Sequence, residues 1–131
     1  MRRDDLVSAL RWGLIAAAAK RDLRGRLFPS GAACACGVTN PWLLVLGQRP
    51  IRCYECHVRQ SGRPTVELHH VGGQGSYLVV RLGANRHRLH DAGYQDVLEQ
   101  LPLTPAERLW IELQLFLAFE RALDDEERRR S

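Results

Sequence analysis

"RPTVELHHVGGQGSYLVVRLGANRHRLHD", Arg63 to Asp91, holds four of the five histidines in the 131-residue chain: His69, His70, His87 and His90. The fifth, His57, lies just upstream beside Cys56 and is expected at the surface. Two runs rich in β-branched and aromatic residues, "TVELHHV" and "YLVVRL", are joined by the Gly-rich "GGQGS", which predicts a β-hairpin. A short helix is expected to follow from Ala84 to about Ala92, with Gly93 as its stop. In a strand, Glu67 and His69 point to one face while Leu68 and His70 point to the other. On the helix, His87 and His90 are three residues apart and share a face. A hairpin folded back on that helix brings His69, His87 and His90 to one point, with His70 beside it, as a metal site requires.

Outward from this stretch the pattern is mainly helical. Leu6, Leu10, Leu14 and Ala17 recur at helical spacing, which predicts an amphipathic helix from about Asp4 to Arg24, ending near Gly25. That run resembles a signal peptide only faintly, because Asp4, Asp5 and Arg11 interrupt it, and it is too short and too charged to span a membrane. The protein is expected in the cytoplasm, with no membrane partner. Residues 30–64 read as loop-rich, and "YQDVLEQL" reads as a short helix closed by Pro102. In "TPAE", Thr104 can cap, Pro105 fits the first helical position and Glu107 completes a capping box. The helix beyond carries Trp110, Leu113, Phe116, Leu117 and Leu123 around much of its circumference. That distribution implies core, or an interface with a protein partner or a second copy. Arg128 to Arg130 should fray.

The four cysteines form Cys34-x-Cys36 and Cys53-x-x-Cys56, two close pairs separated by sixteen residues. This spacing suits a tetrahedral structural Zn²⁺ held by two knuckles of a ribbon; two disulfides or free buried thiols are the alternatives.

Composition permits one ordinary folded domain: 45% of residues are hydrophobic and 26% charged. The basic residues comprise 18 Arg and one Lys. That bias suits phosphate recognition, and genomic base composition would produce it equally. Residues 1–94 hold 14 basic and 6 acidic side chains, a net of +8, whereas residues 95–131 hold 5 basic and 9 acidic, a net of −4. A basic body with an acidic tail segment fits a polyanionic partner.

"ELHHVGG" and "NRHRLH" together resemble the His-Asn-His (HNH) endonucleases of the ββα-metal superfamily, over roughly residues 53–92. Arg63, four residues before Glu67, completes Arg-x-x-x-Glu-x-His-His, a pattern similar to the nuclease domains of DNA-degrading bacteriocins. The resemblance implies a divalent-metal-dependent phosphodiesterase acting on DNA. It implies His70 as general base, His69 and His87 as metal ligands, and His90 as a third ligand or leaving-group contact. Arg63 would grip a phosphate, oriented by Glu67, with Arg86 and Arg88 as further substrate contacts. Mg²⁺, Mn²⁺, Ni²⁺ or Zn²⁺ would serve as the catalytic ion.

Three departures from that family are visible. Tyr77 or Leu78 stands where the middle Asn is expected, and Asn85 is displaced onto the helix. His87 and His90 are three residues apart rather than the bacteriocins' four. The usual second cysteine pair at the helix start would fall at Gly83 and Arg86, so Cys34 and Cys36 would replace it from upstream.

The expected architecture is thus α+β in a single domain, residues 1–131. A helix over 1–29 precedes a zinc ribbon over 30–62, a ββα-metal unit over 63–93 and C-terminal helices over 94–131. The expected function is DNA endonuclease. The alternative is a non-catalytic zinc-ribbon module that binds nucleic acid through a degenerate HNH unit.

Overall fold

The computed structural model describes residues 2–130, excepting the Arg130 side chain, and its architecture is mixed α+β. Helix α1 spans Arg3–Gly25. A single 3-10 turn at Pro41–Leu43 is capped by the Asn40 side chain, which accepts the Trp42 N–H. Helix α2 spans Tyr54–Gln60, inside the segment expected to be loop. Strands β1 (Val66–His70) and β2 (Val79–Gly83) form the expected hairpin, antiparallel, with His69 opposite Val80 and His70 opposite Val79. Helix α3 covers Ala84–His90 and α4 covers Asp96–Glu99. The long helix α5 runs over Pro105–Arg130. No helix among the described residues is long and apolar enough to cross a membrane.

Gly93 does not stop a helix. The chain continues from α3 into α4 through a π-helical turn over Asp91–Gln95. Gly93 is instead a point of close approach: a Cβ there would stand 3.0 Å from the Phe119 ring of α5. Gly13 does the same for α1, where an added Cβ would fall 2.4 Å from Val97 Cγ1. Helix α1 therefore lies directly over the start of α4, although none of its own side chains is fully buried.

The capping box at α5 is formed as expected. The Thr104 hydroxyl accepts the Glu107 N–H and the Glu107 carboxylate accepts the Thr104 N–H, at 3.2 and 3.0 Å. Such a reciprocal cap satisfies two backbone N–H groups that a helix start otherwise leaves unpaired. The apolar stripe of α5 is only partly buried. Phe116 joins Val71 and Leu82 beneath the hairpin, whereas Trp110 and Leu117 remain exposed.

The second small core lies around the cysteines, where Cys34, Leu44 and Cys53 are buried against Phe28, Val38 and Ile51. An isolated antiparallel bridge pairs Leu44 with Cys53. Arg24, near the end of α1, fastens this unit by donating to the carbonyls of Pro41 and Leu44 at 2.7 and 2.8 Å. Two small cores stapled in this way are what a short chain needs when neither alone buries much apolar surface.

Candidate metal centre and catalytic histidine

The four thiols converge. The sulfurs of Cys34, Cys36, Cys53 and Cys56 all lie within 4.8 Å of one another, and Cys36 Sγ is 3.7 Å from Cys53 Sγ. A tetrahedral zinc with bonds of about 2.3 Å sets its sulfurs about 3.8 Å apart, so the cluster fits that ion. The first knuckle is tightened by Gly37, whose φ of 100° is reserved for glycine and whose N–H donates to the Cys34 carbonyl at 2.8 Å. The second places Cys53 immediately before α2 and Cys56 in its first turn. For the Cys34 thiol, burial raises the pKa but hydrogen bonds from the Cys36 and Cys53 backbone outweigh it, leaving a value of about 6. Burial, reinforced by the neighbouring thiols, pushes Cys56 up to about 12. The cluster thus gathers sulfur donors in an environment that already favours one thiolate.

The second convergence is His69, His87 and Asp91, whose ligand atoms also lie within 4.8 Å of one another. Asp91 was not among the residues singled out from sequence. It sits one helical turn past His87, with Oδ1 3.7 Å from His87 Nε2. The other nitrogen, Nδ1, donates to Glu67 Oε2 at 2.7 Å, which orients the ring and leaves Nε2 toward Asp91. His69 is buried and its ring centroid stands 5.1 Å from that of His87. Two imidazoles and a carboxylate, with no fourth donor in the group among the described residues, suit a divalent ion with open positions.

His70, next along β1, is only half-buried. Its Nδ1 donates to the Ser76 carbonyl at 3.3 Å, so the neutral ring presents an unprotonated Nε2. The Ser76 segment is held by its own loop rather than by an asparagine. The Ser76 hydroxyl accepts the Leu78 N–H at 3.1 Å, and Gly72 and Gly73 adopt φ of 101° and 98°. Tyr77 projects fully into solvent. Asn85 serves elsewhere: it exchanges two 3.1 Å hydrogen bonds with Glu55, joining the starts of α2 and α3.

Four of the residues expected at the site are engaged in other contacts. His90 is wholly buried, and both its nitrogens are occupied, by Tyr94 Oη at 2.5 Å and Glu120 Oε1 at 2.7 Å. It stacks on Phe116 with centroids 4.6 Å apart and lies outside the ligand group. Burial holds its imidazole below the usual pKa against the opposing pull of Glu120. Arg86 points not to a substrate but into α5, where it binds Glu120, Asp124 and Glu127. Arg88 donates to the Trp42 carbonyl at 2.5 Å and lies 3.9 Å over the Tyr54 ring. Glu67 pairs with His87 rather than orienting Arg63. Arg63 itself is exposed on the segment entering β1, and its guanidinium makes no hydrogen bond or ion pair among the described residues.

Beneath the site lies Glu112, a fully buried carboxylate. It accepts from Gln95 at 2.9 Å and from Arg108 at 3.3 Å, and stands 3.5 Å from His69 Nε2. Burial pushes its pKa up, but hydrogen bonds from His69, Gln95, the Gly72 backbone and Arg108 prevail and keep it below the usual carboxylate value. No buried side-chain polar atom among the described residues lacks a partner.

No family model matches this chain, and comparison with curated proteins and with solved structures finds no match.

Proposed function

We propose that this protein is a metal-dependent DNA endonuclease of the HNH type, with His70 as its general base. The observation that carries the reading is the setting of His70. Its Nδ1 is tied to the Ser76 carbonyl while its strand neighbour, His69, belongs to the His69–His87–Asp91 group. The residue read as base and one prospective ligand are thus neighbours on β1, while His87 comes from α3 and Asp91 from the turn after it.

His69, His87 and Asp91 would hold the ion, with Asp91 in place of the histidine expected three residues after His87. A divalent ion bound there would neutralise charge on the scissile phosphate and its leaving oxygen. His70 Nε2 accepts the proton of the attacking water, as the nitrogen left open when Nδ1 donates to the Ser76 carbonyl. Glu67 holds His87 in its tautomer. Arg63, with its fork unengaged, donates to a phosphate oxygen. The four cysteines would hold a structural zinc, supporting the segment that ends at α2.

Plasmid DNA incubated with Mg²⁺, Mn²⁺, Ni²⁺ or Zn²⁺, each against EDTA, tests the reading. The expected result is cleavage with at least one ion and none with EDTA or with His70→Ala. DNA retention without cleavage under every ion would instead support a non-catalytic binding module.

A further inference from the structure

We propose that Glu112, acting with Gln95, is a positioning residue for the metal site: it fixes the His69 ring so that Nδ1, not Nε2, faces the ion. The inference rests on the His69–His87–Asp91 reading above and extends it to helix α5, which the hairpin–helix unit itself does not contain.

The geometry is specific. His69 is 3% exposed, and its Nε2 is turned inward, 3.5 Å from Glu112 Oε2 and 3.3 Å from Gln95 Nε2. Nδ1 makes no hydrogen bond among the described residues. An imidazole that ligates through one nitrogen needs an acceptor for the proton on the other; at Nε2 the Gln95 amide can only donate, so the buried Glu112 carboxylate is that acceptor, against the amide's competing donation to an unprotonated Nε2. Without such a partner the ring could rotate or present its protonated nitrogen to the ion.

The carboxylate is itself immobilised. Gln95 donates to Glu112 Oε2 at 2.9 Å while its own Oε1 accepts from Arg108 at 3.1 Å. Arg108 also reaches Glu112 Oε1 at 3.3 Å. Glu112 therefore has one oxygen braced by Arg108 and the other shared between Gln95 and His69. Taking a carboxylate out of water is costly, so an apolar residue would serve packing alone far better. The mirrored arrangement at Glu67 and His87, 2.7 Å apart, gives each imidazole of the group its own carboxylate.

The test uses the full chain with zinc retained on its cysteines, titrated calorimetrically with Ni²⁺. Glu112→Gln is expected to weaken Ni²⁺ affinity about 10–100-fold. Glu120→Gln, which alters the partner of His90 instead, should leave it within about twofold. Nitrogen-15 NMR of the wild type before Ni²⁺ addition should show the Nε2–H tautomer for His69. Unchanged Ni²⁺ affinity in Glu112→Gln overturns the inference, as does an Nδ1–H tautomer, which remains decisive if the variant does not fold. Wild-type protein that binds no Ni²⁺ sinks both this inference and the metal-site reading. Ni²⁺ binding weakened by Glu112→Gln, in a protein that never cuts DNA, leaves the inference standing and removes the nuclease reading alone.

Discussion

Glu67 Oε2 lies 2.7 Å from His87 Nδ1, an ion-pair geometry that spans from the first strand of the hairpin to the helix after it. The contact joins two parts of the prospective site that are twenty residues apart, and it takes the carboxylate away from Arg63. Glu67→Gln should therefore weaken binding of the exchangeable ion about 10-fold, the lower end of the range for such partners because Glu67 is half-exposed. Its four-cysteine zinc content should not change. Metal titration of the variant checks both, and a loss of zinc instead would show that Glu67 supports the fold.

His70→Ala should reduce DNA cleavage about 10²–10⁴-fold while leaving Ni²⁺ affinity and DNA retention close to wild type. The reason is that His70 touches the Ser76 carbonyl and not the ligand group. Single-turnover cleavage measured beside a binding isotherm decides it; cleavage within a few-fold of wild type removes His70 from the mechanism.

Asp91 and His90 are neighbours in sequence with opposite expected phenotypes. Asp91→Ala should abolish binding of the exchangeable ion and leave the denaturation midpoint nearly unchanged, because the carboxylate is half-exposed. His90→Ala should retain the ion but lose about 2–4 kcal/mol of stability, from the cavity beside Phe116 and the lost hydrogen bonds to Tyr94 Oη and Glu120 Oε1. Urea unfolding and metal titration of the same two proteins separate the roles.

Chelation should act in two stages. Mild EDTA should remove activity and leave circular dichroism intact, since three donors with open positions exchange faster than four thiolates. Cys53→Ser should destabilise the chain outright, because folding of a ribbon is linked to its zinc. Simultaneous loss of fold and activity at one chelator dose would contradict the two-site arrangement.

Arg86→Ala should cost about 1–3 kcal/mol of stability with little effect on DNA affinity, since its guanidinium is spent on Glu120, Asp124 and Glu127. Burial pushes the Glu120 carboxyl up, but hydrogen bonds from Arg86 and His90 outweigh it, so its folded pKa lies below the ordinary 4.5. The stability contributed is complete above about pH 4.5 and is lost as pH falls through the lowered value. Glu120→Gln should show a shallower decline in that acid range than wild type, measured as denaturation midpoints at successive pH values.

The hairpin, the capping box of α5 and the clustering of the cysteines were all legible because each rests on local chemistry: alternation, a reciprocal hydrogen bond, a pair spacing. What was not legible depends on contacts distant in sequence. His90 reads as a ligand by its spacing from His87, yet Glu120, thirty residues on, claims its imidazole. Arg86 and Arg88 read as basic surface until α5 and Trp42 supply their partners. Asp91 is legible in the sequence, since a residue four after His87 shares its helical face. Glu112 had no local signal, since an acid on an amphipathic helix is expected to face water.

The π-helical turn at Asp91–Gln95 holds one residue more than an α-helical turn would need. Each added residue rotates all that follows by about 100° around the axis, so α3 and α4 are out of phase with a straight helix. Asp91 can thereby remain at the surface beside His87 while Gln95 reaches inward to Glu112. The segment works as a gear with one extra tooth. Removing a single residue between 91 and 95 would let the helix run straight and turn Gln95 off Glu112 while His87 stayed in place. Chain length across these five positions is thus fixed to the residue, where a surface loop would tolerate insertion or loss.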